Sequence, residues 1–434
     1  MTPQPRFPLR RIRRARVLSR HGQIRLLFVA GGLAVGAVAV AFAMLADQMQ
    51  SGFAAMLAWS RFIALGITPA GFAISAYCAL RFFPNSGGSG IPQAIAARAL
   101  TDETARQKLV SLRVAIGKVI LTALGLLCGG SIGREGPTVQ VGASVMYAVG
   151  HISKRQQRGL ILAGAAAGVA AAFNTPMAGI VFGIEEMGRS FETKTSGLVI
   201  ATVIAAGLVS LALVGNYNYF GSTAVSLHGL AAWTAVPVCG VVGGLLGGLF
   251  SRGVIAASGP WPGSVGRWLK ARPVLFAALC GLGVAFCGLA SGGTIYGTGY
   301  SQVVHMLDGS ALPPQGFGVL KLVATLLSAI SGIPGGIFSP SLAVGAGIGR
   351  TLGEILATVP LPVMVVLGMV GYFSGVVQAP ITAFIIVIEM TGDHALVVPV
   401  MLASLIGYAA SRLVCPDGIY HALSRNYLPN DATH

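Results

Sequence analysis

Gly129-Gly130-Ser131-Ile132-Gly133-Arg134-Glu135-Gly136-Pro137 sets a carboxylate among glycines, between two apolar runs of membrane-helix length. Proline suits the first turn of a helix, so Pro137 marks a helix start and leaves the amides near Glu135 and Gly136 without intrahelical acceptors. Free amides at a helix start attract anions. A buried charge at such a place demands a reason.

The chain around this stretch has 434 residues, 54% hydrophobic and only 10% charged, with a mean hydropathy of +0.77. Those values lie outside the range of soluble domains and define an all-α polytopic membrane protein. Apolar segments fall at 26–46, 63–83, 114–130, 160–183, 198–214, 236–250, 273–289, 319–344, 362–388 and 397–414. Several are shorter than the ~20 residues of a simple span, or are broken by Gly and Pro, which predicts tilted and discontinuous helices.

The net charge of +16 raises the question of nucleic acid, but eight of the basic residues are Arg6, Arg10, Arg11, Arg13, Arg14, Arg16, Arg20 and Arg25, directly ahead of the first apolar run. That is the positive-inside pattern. Residues 1–25 are therefore expected to form a basic cytoplasmic tail touching anionic lipid, and no nucleic-acid partner is expected. No small-residue cleavage site follows a short apolar core, so a removable signal peptide is not expected; an Arg-rich organelle transit peptide is the alternative. Cys78, Cys128, Cys239, Cys280, Cys287 and Cys415 are scattered and read as small core residues, not as a metal site or a disulfide framework. With neither a His-Glu-x-x-His motif nor a phosphate-binding loop, no metal, ATP or redox cofactor is expected.

The second half of the chain repeats the first. Lys118 precedes Pro137 by 19 residues and Lys321 precedes Pro340 by 19; each proline is followed five positions later by glycine, Gly142 and Gly345. Pro176 leads by nine to Glu185, and Pro380 leads by nine to Glu389. These anchors share an offset of 203 to 204 residues and predict two homologous halves, near 28–215 and 230–425. Halves of this kind usually meet at a pseudo-two-fold axis, with the substrate at the midplane between broken helices. Polar residues matched in both halves are then architectural, as with Glu185 and Glu389. Glu135 aligns with Phe338 and Glu186 with Met390, so these two glutamates break the symmetry.

An isolated carboxylate in a bilayer costs roughly 2.5–3.5 kcal/mol on insertion scales and usually faces a pathway or a partner. For Glu135 the plain alternative is a solvated loop charge or a pair with Arg134; the functional reading is a carboxylate competing with an anion for the same amides and yielding when protonated. For Glu186 the plain alternative is a pair with Arg189 or Ser190 at a helix end, and the functional reading is a proton relay. Gly88-Ser89-Gly90-Ile91-Pro92 offers a hydroxyl and open backbone at a broken helix, although turn chemistry also favours Ser there. Gly335-Gly336-Ile337-Phe338-Ser339-Pro340 mirrors the opening stretch without a charge, and its Ile337 and Phe338 amides are free donors. Neutral donors suit a permeant anion that must also be released.

These motifs resemble the CLC family of chloride channels and proton-coupled chloride antiporters, specifically the bacterial antiporter type. The match rests on Gly88-Ser89-Gly90-Ile91-Pro92, Gly133-Arg134-Glu135-Gly136-Pro137 and Gly336-Ile337-Phe338-Ser339-Pro340 in order, with Tyr420 in Gly418-Ile419-Tyr420 near the end. The resemblance implies a two-repeat inverted helical domain over 26–425, a short tail at 426–434 and a homodimer with one pathway per subunit. It implies chloride held by the hydroxyls of Ser89 and Tyr420 and the amides of Ile337 and Phe338. The backbone of Gly88, Gly90, Gly133, Arg134 and Gly136 would line the anion path. Glu135 would be the gating glutamate and Glu186 the internal proton-transfer glutamate, which favours exchange of chloride for protons over a passive chloride channel. Ser89 matches the chloride-preferring form of the first motif. Gln93 and Ile95 depart from the pattern, since well-known bacterial antiporters carry glutamates there. The expected location is a bacterial cell membrane, with no C-terminal nucleotide-sensing domains.

Two further readings stand beside it. An intramembrane enzyme with Ser89 or Ser131 as nucleophile would need a base, and the nearby apolar segments contain no histidine. A scaffold has no use for two costly intramembrane glutamates.

Overall fold

The computed structural model describes residues 8–150, 156–188, 193–215, 218–221, 227, 229, 232–357 and 359–429, with side chains from 22 onward and, in the helix that opens at 193, from 197. The first half comprises α1 Pro8–Trp59, α2 Ala64–Arg81, α3 Ile91–Ala99, α4 Glu103–Leu109, α5 Leu112–Leu127, α6 Glu135–Val149, α7 Gln157–Phe173, α8 Pro176–Phe182 and α9 Thr193–Val214. The second comprises α10 Ala235–Ser258, α11 Gly263–Lys270, α12 Pro273–Ala290, α13 Tyr300–Asp308, α14 Phe317–Ile330, α15 Phe338–Leu356, α16 Leu361–Val377, α17 Pro380–Thr391, α18 Val397–Val414 and α19 Ile419–Ser424. Among the described residues, seven helical stretches are long and apolar enough to cross a membrane. β-Pairing among the described residues is limited to two isolated bridges, Gly88 with Pro334 and Gly133 with Gly336.

The duplication runs element by element. α2 and α12 each have 18 residues and α7 and α16 each have 17. The runs at 160–183 and 362–388 break at the same place, where Asn174 (φ 57°) and Gln378 (φ 56°) end α7 and α16 in the left-handed region. Pro176 and Pro380 then open α8 and α17. Proline lacks the amide that would continue the preceding helix, so the break is written into the chain.

The matched polar residues carry structure. Glu389, near the end of α17, accepts from the amides of Met177 (3.2 Å) and Ala178 (2.7 Å) at the start of α8. Glu185, just past α8, accepts from Ile381 (3.1 Å) and Thr382 (2.6 Å) at the start of α17. Each carboxylate thus supplies the acceptor and the negative charge that the other half's helix start lacks. Lys118 and Lys321 are buried, and each donates to two loop carbonyls: Gly87 and Gly88 for Lys118, Ile295 and Gly297 for Lys321.

The paired glycines set a helix crossing. A Cβ on Gly142 in α6 would run into the Gly164 carbonyl of α7, and one on Gly164 into the Gly142 carbonyl; Gly345 and Gly368 stand in the same relation between α15 and α16. The obstruction is backbone, which cannot rotate away. Gly142→Ala is expected to cost about 1–3 kcal/mol by overpacking, read as a lower thermal midpoint in detergent.

α1 begins at Pro8 and runs 52 residues, so the arginines from Arg10 to Arg25 share one helix with the first apolar run. No Gly or Pro interrupts the chain between Pro8 and Gly22, and arginine is a good helix former.

Candidate functional site

Three helix starts meet at one place. α3 begins after Gly90 (φ 94°), α6 after Arg134 and α15 after Ile337, and none of the three has a side-chain cap. The segments that precede them are stitched together through the backbone. Gly88 N–H donates to Ile333 (3.1 Å) and Gly335 N–H to Gly88 (3.1 Å); Gly133 and Gly336 exchange bonds of 2.8 and 2.7 Å. This approach needs glycine at Gly136, where a Cβ would press on Ser89 and on the Cα of Gly336. Lys118 and Gln93 hold the first loop: the Gln93 amide donates to Gly87 at 2.7 Å. The departure at Gln93 is therefore a neutral brace, and Ile95 is packed in the core.

Ser89 and Tyr420 each bring a buried hydroxyl that has no hydrogen-bond partner among the described residues. Ile337 and Phe338 are buried too, and the Phe338 ring lies 5.9 Å from that of Tyr420. At the start of α15 the Ser341 amide bonds to the Ile337 carbonyl, so the amides before it have no intrahelical acceptor. The site thus offers hydroxyls and amides with no fixed cation among them.

Glu135 is fully buried. Its carboxylate folds over Gly133 beside Pro340 and faces the hydroxyl and amide of Ser339. None of these contacts is a well-formed hydrogen bond. Arg134 turns away to Asp47 (2.7 Å) and to the Ala43 carbonyl (2.6 Å). The two plain readings of Glu135, a solvated loop charge and a pair with Arg134, do not describe this geometry. A cavity of about 200 Å³ beside it is lined by Asp47, Gln50, Arg134, Tyr219, Thr298 and Tyr300.

Glu186 is buried in a π-helical turn, Gly183–Gly188, that follows α8. Such turns widen a helix locally and recur at functional sites. Its Oε1 lies 3.6 Å from Nε2 of His421, and that nitrogen lies 3.1 Å from the Glu186 carbonyl oxygen. Arg189 and Ser190, the partners weighed from sequence, lie outside the described residues.

The two glutamates face opposite ends of the molecule. α1 and α9 run parallel: Gly32 packs on Thr202, Gly36 on Ala206, and Thr202 Oγ1 bonds to the Phe28 carbonyl. Thr193 is thus level with about residue 23, at the basic end of α1, and the turn holding Glu186 lies just before it. Asp47, whose carboxylate holds Arg134, sits 24 residues further along α1, or about 36 Å at 1.5 Å per residue.

Sequence reasoning passed over His421, Asp47, Tyr219 and Ser339. The place of His421 next to Tyr420 was a usable signal for the first. The others depend on crossings between distant helices.

The family model described as voltage gated chloride channel matches residues 71–412. The chain is 31% identical over 387 residues to the H(+)/Cl(-) exchange transporter ClcA of Vibrio cholerae serotype O1, covering 83% of this chain and 80% of the relative. It is 29% identical over 429 residues to the protein of the same name from Yersinia pestis bv. Antiqua, covering 90% and 85%. Among solved structures, it resembles a slow cyanobacterial Cl-/H+ antiporter with a TM-score of 0.79 at 24% identity, covering 94% of this chain and 99% of that one. A CLC-type fluoride/proton antiporter gives 0.76 at 21% identity, covering 92% and 97%. With its motifs, its duplicated helical architecture and a family match across most of its length, the chain belongs to the voltage-gated chloride channel, or CLC, family and is a multi-pass integral membrane protein.

Proposed function

We propose that the protein exchanges chloride for protons across the membrane. The observation that carries this reading is the pair of buried glutamates without counterparts in the repeat, one on either side of a site built from neutral anion donors. The names of the relatives, exchange transporters and an antiporter, agree with it.

In this reading chloride is held by the hydroxyls of Ser89 and Tyr420 and the amides of Ile337 and Phe338. Such donors bind an anion without the tight hold of a lysine or arginine. The backbone of Gly88, Gly90, Gly133, Arg134 and Gly136 brings the three helix starts close enough to form the path. Glu135, when ionised, takes the donors at the start of α15 for itself; when protonated, it loses the charge that holds it there and leaves them to chloride. Glu186 carries the proton between Glu135 and the solution at the basic end of α1. The repeat-related Met177 and Ile381 are both exposed beside the reciprocal glutamate caps, and this face is proposed as the homodimer contact. The basic start of α1 is proposed to lie on the cytoplasmic side of a bacterial cell membrane, against anionic lipid.

A passive chloride channel of the same fold is the second reading, since a channel uses the same donors. The reversal potential separates the two. In planar bilayers with equal chloride on both sides, an exchanger given a pH gradient is expected to show a reversal potential displaced from zero. A channel stays at zero.

A further inference from the structure

We propose that His421 is the proton-transfer residue between Glu186 and the solution at the basic end of the molecule. The inference rests on the assignment of Glu186 as the internal proton carrier.

Geometry carries it. A carbonyl can only accept, so in the 3.1 Å contact with the Glu186 carbonyl the His421 Nε2 bears the proton. That same nitrogen lies 3.6 Å from Glu186 Oε1. The gap exceeds a direct hydrogen bond and is closed by a small rotation or by one water. The Glu186 side chain is 6% exposed and that of His421 is 20%. The carboxylate is therefore buried, while the imidazole reaches toward solvent.

The step balances as a proton transfer. Imidazolium Nε2–H gives its proton to Glu186 Oε1, leaving neutral imidazole and a neutral carboxylic acid; the reverse step restores both charges. Protonated His421 also steadies the ionised Glu186 between transfers. Imidazole suits the task because its ordinary pKa, about 6.5, lies within the physiological range.

The charged and titratable groups on the elements packed against α19 leave this pairing intact. Arg98 of α3 donates to the carbonyls of Met187 (2.7 Å) and Gly188 (3.3 Å). Asp417, in the loop before α19, is paired with Arg425 at 3.3 Å. The rest are Tyr420 on α19 itself, Cys239 and Arg252 on α10, Tyr372 on α16, Cys415 in the loop and Tyr427 in the turn that follows. Among the described residues, Glu186 is a carboxylate within reach of the His421 ring, at 3.6 Å.

The test uses the full-length protein in liposomes, with proton and chloride fluxes recorded together for wild type, His421→Ala, His421→Gln and Glu186→Gln. The expected result is a proton flux about tenfold lower in both His421 variants, with fewer protons moved per chloride. Imidazole added on the α19 side should restore proton flux in His421→Ala, and the pH profile on that side should change shape. A merely structural histidine would give neither the rescue nor the altered profile. Wild-type coupling, pH profile and indifference to imidazole in the His421 variants, alongside loss of proton flux in Glu186→Gln, would overturn the role of His421 alone. Retained proton flux in Glu186→Gln would overturn the relay on which it rests. Should neither His421 variant fold, a wild-type proton flux independent of α19-side pH from 5 to 8 would likewise overturn the inference.

Discussion

Glu135→Gln is expected to let chloride cross with no linked proton movement, proton flux falling by at least about 100-fold, the scale of a positioned acid–base group. Glutamine keeps the size of the side chain but neither ionises nor carries a proton. Glu135 is fully buried, its carboxylate makes no well-formed hydrogen bond, and the neighbouring arginine is committed to Asp47. A carboxylate in that position costs free energy and usually marks a pathway for ions or protons. In the proposed exchange, its competition with chloride for the start of α15 ends once the charge is gone, so the variant is expected to resemble the wild type fixed in its protonated state. Paired recording of a chloride electrode and a pH electrode outside loaded liposomes checks this. Persisting proton-coupled exchange would remove Glu135 from the mechanism.

Glu186→Gln carries the second large effect. Proton flux is again expected to fall by about 100-fold, but Glu135 still titrates from its own side. The two variants therefore separate: chloride flux in Glu135→Gln should be insensitive to pH on the Asp47 side, whereas in Glu186→Gln it should still rise as that side is acidified. The sign follows from the proposed gate, in which acid protonates Glu135 and frees the donors for chloride. Chloride flux recorded against external pH in each variant checks the difference. Glutamine also preserves packing in the π-helical turn, so the loss reports proton transfer and not a cavity.

Much of this architecture is legible in the chain because prolines and glycines fix where helices start. Pro137 and Pro340 sit in the first turns of α6 and α15, Pro176 and Pro380 open α8 and α17, and Gly142 and Gly345 sit at the close helix crossings. Each of those features is local and survives in a linear reading. The matching of residues between the halves is local for the same reason, and the matched Glu185 and Glu389 cap each other's helices. What escapes is the long-range pairing. His421 reaches Glu186 across 235 residues, and Arg134 meets Asp47 from a helix that ends before α2 begins. Hydrophobic periodicity gives the faces of helices but not which faces cross. The short helices α4, α11 and α13 leave no mark in the sequence, because seven to nine residues are too few for a periodic signal.

The most direct measurement is the proton movement driven by a chloride gradient alone, in liposomes containing the purified protein and no initial pH difference. Exchange predicts that protons move uphill against the pH gradient they create, for as long as chloride runs down its own. Chloride efflux with the external pH unchanged, under a voltage clamp set by potassium and valinomycin, would contradict the account and make the protein a chloride channel.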